Sequence, residues 1–185
     1  MYKGEKIQMK ATGIVRRIDE LGRVVIPKEI RKTLRIKEGD PLEIFTDHEE
    51  LLLKKFSAIS SLGEEAKAFI ESLAEISENV FIACDTDAVI CTSGSKYKDY
   101  VGKPLTYELE KCLRERKSII SNKEDGGNVL GIVKGEELNV NGQIIVPIIN
   151  NGDLLGAIIM LSKERKLDNV DVKLAQLGAN FLANK

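Results

Sequence analysis

The sequence predicts an α+β protein with two domains. Residues 12–56 show the order strand, strand, short helix, strand, strand, and residues 57–185 show six further short apolar runs with helical patterns at both ends. A chain of 185 residues, 43% hydrophobic and 31% charged, is long enough for one or two such domains. The expected division is an extension over residues 1–8, a first domain over 9–56, a linker helix over 57–78 and a second domain over 79–185.

The first domain begins with a predicted β-hairpin. Its strands are expected over residues 12–19 and 23–26, and Gly22 supplies the positive φ that a tight reversal between them needs. Pro27 suits the first position of a helix over residues 28–35, because its missing N–H costs nothing there.

A second pair of strands is expected over residues 42–45 and 51–56, on either side of an acidic turn. Fewer than about 50 residues bury only a thin core, and units of this size usually need disulfides, a metal or a partner subunit. The three cysteines form no C-x-x-C pair and there is one histidine, so neither a zinc site nor a cofactor is expected. We therefore predict an obligate dimer.

Residues 57–78 predict a linker helix. Ser61 and Glu64 have the S-x-x-E spacing of a capping box, so the helix is expected to begin there. Its apolar residues recur at spacings of 4, 3, 4 and 3, which is the pattern of a helical seam between subunits. An amphipathic helix lying on its own domain is an equally good interpretation. The seam would consist of Leu62, Ala66, Phe69, Leu73 and Ile76.

The second domain is predicted to contain six strands. They cover residues 80–84, 89–92, 118–121, 129–133, 143–149 and 154–161. Residues 150–153, with the sequence NNGD, predict a tight turn between the last two strands. A helical insert is expected over residues 96–117. The closing helix, from about Asp168, has one apolar stripe of Val170, Leu174, Leu177 and Phe181 and a second of Ala175, Gly178 and Leu182.

Basic side chains are concentrated at the start of the chain. Residues 1–37 carry eleven Lys and Arg against four Asp and Glu, an excess of 11 − 4 = +7, although the whole chain has a net charge of −1. Residues 57–185 hold 15 basic and 19 acidic side chains, a net of −4. Because Lys and Arg release counterions from phosphates, the first domain is expected to face a nucleic acid.

Two other classes of protein are not expected. The longest apolar runs, residues 144–149 and 157–161, are shorter than the roughly 20 residues that cross a bilayer, and the first ten residues lack the apolar core of a secretory signal. A cytoplasmic protein without membrane contact is the expectation. An enzyme is not expected either, because G-x-S-x-G and H-E-x-x-H elements are absent and the acidic pair Asp85 and Asp87 falls on a predicted turn.

Residues 9–56 contain the motifs GIVRRID, LGRVVIP, EIRKTL and EGDPLEIF in this order. In their order and spacing they resemble the swapped-hairpin DNA-binding domain of the AbrB family of bacterial transition-state regulators. The resemblance implies a homodimer in which two chains interleave their hairpins into one β-barrel that binds double-stranded DNA. It places the DNA contacts at Lys10, Arg16, Arg17, Arg23, Arg31 and Lys32. Lys32 stands where an arginine is often found, which favours a phosphate contact there.

The rest of the chain, ending in GAIIML and a terminal helix, resembles a GAF domain. This implies an antiparallel sheet with flanking helices, which are expected to join two dimers into a homotetramer. GAF domains commonly bind small molecules, so an unidentified effector bound by Ser93, Ser95, Tyr97 and Tyr100 is one alternative. A ligand-free domain used only for assembly is the other.

Together the two halves resemble a transcription regulator that activates and represses genes in the developing forespore. An antitoxin is the alternative function, because related swapped-hairpin domains neutralise toxin proteins with a disordered acidic tail. Here residues 57–185 have a structured, amphipathic pattern instead. That pattern favours the regulator.

Overall fold

The structure is a computed structural model and describes residues 11–185. The chain forms two compact units that divide at residue 40. Within the described residues, no helix has both the length and the apolar character that crossing a membrane requires.

The first unit contains a tight turn and one helix among residues 11–40. The turn reverses the chain at Asp19–Gly22, where the Gly22 N–H donates to the Asp19 carbonyl at 3.0 Å and Gly22 has a φ of 75°. Helix α1 spans Lys28–Thr33 and follows Pro27, as predicted, but ends two residues earlier than expected. The turn and the helix of the predicted first domain are confirmed.

The predicted strands over residues 12–19 and 23–26 are wrong for a single chain. Neither segment forms a β-ladder within the part of the chain that the structure describes. Their apolar side chains stay in solvent: Val15 is 85% exposed, Ile18 72% and Val25 73%. One backbone hydrogen bond beside the turn, from the Asp19 N–H to the Arg23 carbonyl at 3.0 Å, joins the two segments, and they form no further ladder with each other within residues 11–185.

The second unit begins with an antiparallel hairpin. Strands β1, Leu42–Asp47, and β2, Glu50–Lys55, pair from Leu42 opposite Lys55 to Asp47 opposite Glu50. This confirms the second predicted pair of strands to within two residues at each end. His48 adopts a φ of 49° in the turn between them.

Two helices follow the hairpin, and the predicted capping box is wrong. Helix α2 spans Ala58–Ser61 and is capped by Ser57, whose hydroxyl accepts from the Ser60 N–H at 3.1 Å. Helix α3 spans Glu64–Ser77. Gly63, with a φ of 49°, separates the two helices, so Ser61 ends one helix instead of starting the next.

A five-stranded antiparallel sheet forms the centre of the second unit, with strand order β4-β3-β7-β6-β5. The strands are β3 Val80–Cys84, β4 Val89–Thr92, β5 Ile119–Asn122, β6 Gly142–Asn150 and β7 Asp153–Ser162. The turn between β6 and β7 is the predicted one: Asn150 pairs with Asp153, and Asn151 and Gly152 have φ values of 49° and 89°.

The sixth predicted strand, over residues 129–133, is wrong. The buried side chain of Gln143 occupies both backbone groups of Leu130: its Oε1 accepts from the Leu130 N–H at 2.8 Å, and its Nε2 donates to the Leu130 carbonyl at 2.9 Å. A single bridge between Val133 and Leu105 is all that remains of strand pairing. A side chain thus takes the place of a neighbouring strand.

Both faces of the sheet are buried. One face packs against α3 and the C-terminal helix α5, Asn169–Ala183, through residues such as Phe81, Ile144 and Ile158. The other face packs against a 3₁₀ helix, Ser95–Tyr100, and helix α4, Tyr107–Arg114. Strands β6 and β7 contribute alternate residues to the two faces, which explains their nearly continuous apolar sequences.

Helix α5 buries only part of its apolar surface. Ala175, Gly178 and Leu182 face the core, and a β-carbon on Gly178 would lie 3.1 Å from Leu73 of α3. In contrast, Val170 and Leu177 of the other predicted stripe are 66% and 54% exposed. The rest of the described chain therefore leaves these two side chains of the first stripe largely uncovered.

Candidate nucleic-acid interface

The described basic candidates all lie exposed on the first unit. Arg16 and Arg17 precede the tight turn, Arg23 follows it, and Arg31 and Lys32 lie in α1. Lys10 falls outside the described residues. Through their side chains, Arg16, Arg17, Arg31 and Lys32 make no hydrogen bond or ion pair with other residues of the range 11–185. Their charges are therefore available to an anionic partner.

Arg23 is held differently from the other four. Its Nε donates to Asp19 Oδ2 at 2.8 Å, and its backbone N–H donates to Asp19 Oδ1 at 2.8 Å. The Leu21 N–H donates to the same Oδ1 at 3.0 Å. The hydrogen bonds from the backbone and side chain of Arg23 hold the pKa of the Asp19 carboxyl below its ordinary value. The carboxylate therefore stays charged beside the guanidinium.

Exposed apolar side chains are numerous in the same stretch of sequence as the basic ones. Ten of the large apolar residues that the structure shows exposed lie between residues 14 and 56. They are Ile14, Val15, Ile18, Leu21, Val24, Val25, Leu34, Ile44, Leu51 and Phe56. A concentration of exposed apolar surface on this scale marks a protein interface. It agrees with the size argument that residues 9–56 need a partner subunit.

The four predicted effector residues differ widely in their exposure. Tyr97 and Tyr100 are 5% and 7% exposed and pack edge to face, with ring centroids 5.2 Å apart. The Ser93 hydroxyl accepts from the Phe81 N–H at 2.8 Å, whereas Ser95 is exposed at the start of the 3₁₀ helix. The two tyrosines are thus part of the core between the sheet and α4.

The predicted seam residues divide between the core and the surface. Ala66 and Leu73 are 0% and 3% exposed against the sheet of their own domain, so they are not available to another subunit. Leu62 and Phe69 are half-buried, and Ile76 is 74% exposed. At Ala66 and Leu73 the second interpretation, a helix lying on its own domain, is the correct one.

Sequence reasoning missed an ion pair between the hairpin and the sheet. Asp85, not Asp87, builds the turn between β3 and β4: its Oδ1 accepts from the N–H groups of Asp87 and Ala88, each at 2.8 Å. The Asp87 carboxylate instead pairs with the ammonium group of Lys55 in β2. Both side chains are largely buried. No local pattern indicates a contact between residues 32 positions apart.

Comparison with known proteins identifies relatives for both halves of the chain. Residues 61–185 match the family model described as stage V sporulation protein T C-terminal, transcription factor. Over 178 residues the chain is 46% identical to stage V sporulation protein T of Bacillus subtilis (strain 168), covering 96% of this chain and 98% of that protein. The chain belongs to the stage V sporulation protein T family. It is accordingly a DNA-binding transcription regulator of sporulation.

The N-terminal part of this member of the stage V sporulation protein T family has two further matches. It is 65% identical over 48 residues to transition state regulatory protein AbrB of Bacillus subtilis (strain 168), covering 26% of this chain and 50% of that protein. Residues 15–57 also match the family model described as antidote-toxin recognition MazE, bacterial antitoxin. The resemblance to the AbrB family is confirmed.

The second half has the GAF fold. It resembles the crystal structure of the GAF domain from Acinetobacter phosphoenolpyruvate-protein phosphotransferase with a TM-score of 0.54. Sequence identity is 14%, and the match covers 71% of this chain and 82% of that chain. At this identity the likeness establishes the fold alone. The α+β class predicted from the sequence, with an AbrB-type domain followed by a GAF domain, is therefore confirmed for this stage V sporulation protein T family member.

Proposed function

We propose that this regulator works in the cytoplasm of the forespore, where it activates some genes and represses others as a homotetramer of two swapped-hairpin dimers. The relationship over nearly the whole chain to stage V sporulation protein T carries this proposal. We further propose the domain boundaries expected from the sequence: an extension over residues 1–8, a DNA-binding domain over 9–56, a linker helix over 57–78, and a GAF domain with the C-terminal helix over 79–185.

DNA contact is assigned to Lys10, Arg16, Arg17, Arg23, Arg31 and Lys32. The exposure of Arg16, Arg17, Arg31 and Lys32 supports this assignment, because their side chains make no ion pair within residues 11–185 and keep their full charge for phosphates. Lys32 is assigned to a phosphate, whereas the planar fork of an arginine suits either a phosphate or the O6 and N7 atoms of a guanine.

Dimerisation is assigned to the exposed apolar residues between positions 14 and 56. Within residues 11–185 of one chain, the segments on both sides of the Asp19–Gly22 turn form no strand, and β1 and β2 form a sheet of two strands. A second chain that supplies neighbouring strands would satisfy these backbone groups and cover side chains such as Val15 and Val25.

Assembly of two dimers is assigned to helices α3 and α5, which pack together through stacked rings of Phe69 and Phe181 with centroids 3.8 Å apart. Three large apolar residues of these helices remain exposed: Ile76 at 74%, Val170 at 66% and Leu177 at 54%. Covering them would supply the apolar area that a subunit contact needs. Of the half-buried seam residues, Phe69 lies in α3, whereas Leu62 directly follows α2.

We propose that a small-molecule effector binds only if the core between the sheet and α4 opens. Because Tyr97 and Tyr100 fill the space between the sheet and α4, a small molecule would have to displace at least one ring. The ligand-free alternative, in which the GAF domain only assembles subunits, requires no such movement. A thermal shift produced by a small molecule and lost in Tyr97→Ala would favour binding.

The proposal is tested with the full chain and duplex fragments of sporulation promoters across a salt series. Binding should favour promoter DNA over a scrambled duplex and should weaken steeply with salt. Arg31→Ala should reduce the salt slope by about 1 for each subunit in which the residue contacts a phosphate. Lys98→Ala, which removes an exposed charge from the GAF domain, is the matched control. Equal binding to promoter and scrambled DNA, or equal effects of the two substitutions, would contradict the assignment.

An antitoxin is the second candidate, favoured by the match of residues 15–57 to the MazE model. In that case the chain would repress its own operon and bind a toxin protein through residues 57–185. The ordered GAF fold of these residues argues for the regulator, since a toxin-binding tail is expected to be extended. Co-purification of one toxin-like protein in a 1:1 ratio from the native host would favour the antitoxin.

A further inference from the structure

One carboxylate at the tip of the first turn makes two different kinds of contact. Asp19 Oδ1 accepts from the backbone N–H groups of Leu21 and Arg23 at 3.0 and 2.8 Å. Asp19 Oδ2 accepts from the side-chain Nε of Arg23 at 2.8 Å. The first oxygen therefore builds the turn, and the second holds a guanidinium group.

The contact through Nε leaves the outer edge of the guanidinium open. Arg23 remains 71% exposed, and its two terminal nitrogens have no hydrogen-bond partner among residues 11–185. That terminal pair is the edge that contacts guanine O6 and N7, or two phosphate oxygens, in a bidentate way. A side chain already held in its binding orientation loses less conformational freedom on binding.

We propose that Asp19 is a positioning residue for DNA recognition, which fixes the Arg23 guanidinium at the tip of the hairpin with its terminal nitrogens directed away from the carboxylate. This inference rests on the DNA contact proposed above for Arg23. Asp19 itself touches no DNA in this scheme. Its role is exerted through Arg23 alone.

Simple electrostatics and a positioning role predict opposite effects of neutralising Asp19 on DNA affinity. An exposed carboxylate near a DNA backbone repels phosphates, so its neutralisation should strengthen binding to any duplex. If Asp19 positions Arg23, its neutralisation should instead weaken binding to the preferred sequence. The two effects differ in sign on the same DNA.

The substitution Asp19→Asn separates the two oxygens. The asparagine side chain can keep one acceptor oxygen for the N–H groups of Leu21 and Arg23, so the turn is retained. Its amide nitrogen replaces Oδ2 and is a donor, which cannot accept from Arg23 Nε. Glu20→Gln is the matched control, because Glu20 is an exposed neighbouring carboxylate and the substitution removes the same charge.

The experiment measures affinity for a preferred promoter duplex and a scrambled duplex at fixed salt, using the full chain. Relative to Glu20→Gln, Asp19→Asn should weaken binding to the preferred duplex about two- to five-fold, the range of an exposed ion pair. In an Arg23→Ala background the same substitution should have no such effect. On scrambled DNA the two neutralised variants should behave alike, and their thermal unfolding midpoints should agree.

The possible failures are distinguishable. If Arg23→Ala leaves affinity for the preferred duplex unchanged, the DNA contact proposed for Arg23 is wrong and the inference falls with it. If Arg23→Ala weakens binding but Asp19→Asn matches Glu20→Gln, only the positioning role is overturned. A loss from Asp19→Asn that persists in the Arg23→Ala background would show that Asp19 acts through the turn, which also overturns the inference.

Discussion

The carboxylate of Asp171, at the start of α5, is buried and forms an ion pair. This pair should contribute far more to the free energy of unfolding than an exposed ion pair with the same separation between cation and carboxylate. Arg165 donates to its two oxygens at 2.6 and 2.7 Å, and the Asp168 N–H donates at 2.9 Å. Asp171 is 2% exposed, whereas the Arg165 side chain is 48% exposed. In this ion pair the Asp171 carboxylate is therefore buried, whereas the Arg165 guanidinium is still half exposed to solvent.

The substitution Asp171→Asn removes the charge and one acceptor while keeping the shape. Breaking a fully buried ion pair costs about 3–5 kcal/mol, and an exposed pair contributes about 0.2–1 kcal/mol. Because the Arg165 guanidinium can turn to water after the substitution, we expect an intermediate loss of about 2–3 kcal/mol in the free energy of unfolding. For a chain of this size that corresponds to a decrease of about 5–10 °C in Tm.

Asp125→Asn is the matched control. Asp125 accepts from Lys166 Nζ at 2.6 Å, the same separation as in the Arg165 pair, but both side chains are about half exposed. Loss of the Asp125–Lys166 ion pair should lower the free energy of unfolding by less than about 1 kcal/mol. Both variants are unfolded by denaturant and by heat, with circular dichroism as the signal. Equal destabilisation by the two substitutions would refute the argument that burial decides the value of the pair.

The difference in stability between the wild type and Asp171→Asn should also depend on pH. Burial alone would raise the pKa of Asp171, but hydrogen bonds from Arg165 and from the Asp168 backbone outweigh it and hold the pKa below the ordinary 3.8. A depressed folded-state pKa means that the stabilisation is complete above the unfolded-state value and is lost as pH falls through the folded-state value. The difference between wild type and Asp171→Asn should therefore be constant above about pH 5 and shrink below pH 3.8.

Three further outcomes are expected. Truncation after Phe56 should leave a dimer that binds promoter DNA more weakly than the full chain, because linked dimers gain effective concentration on adjacent half-sites; equal affinities in a titration would contradict the tetramer. Leu177→Lys should convert the tetramer to dimers in sedimentation experiments, whereas Val101→Lys, at a similarly exposed apolar position, should not. Burial raises the pKa of Cys84 to about 12 and that of Cys91 to about 11, so a thiol reagent at about pH 8 should label them only after unfolding; rapid labelling of the native chain would show that the core is open.

The sequence predicts most of the second domain because its signals are local. The bounds of β3 and β4 agree with the predicted ones, since each strand is a short apolar run ended by turn residues. The hairpin of β6 and β7 is equally recognisable, because Asn151 and Gly152 are suited to the two positive φ values of its turn.

The failures have a common physical cause, which is that the deciding partner is not local. Residues 129–133 are apolar like a strand, but Gln143, far along the chain, binds the backbone of Leu130. The strands before and after the first turn need pairing that the described part of one chain does not provide. Of the candidate site, the sequence predicts the exposed cations, but the hydrogen bond from Arg23 Nε to Asp19 emerges only once the turn is formed.

The ion pair between Lys55 and Asp87 has a consequence for engineering chimeras of this family. The boundary suggested by the sequence and by the family matches lies close to residue 57, directly after β2. A chimera joined there would take its DNA-binding half from one relative and its GAF half from another, and would inherit Lys55 and Asp87 from different parents. Unless both parents carry this pair, the graft would leave a largely buried charge without its counterpart, and the junction would become the weakest point of the hybrid.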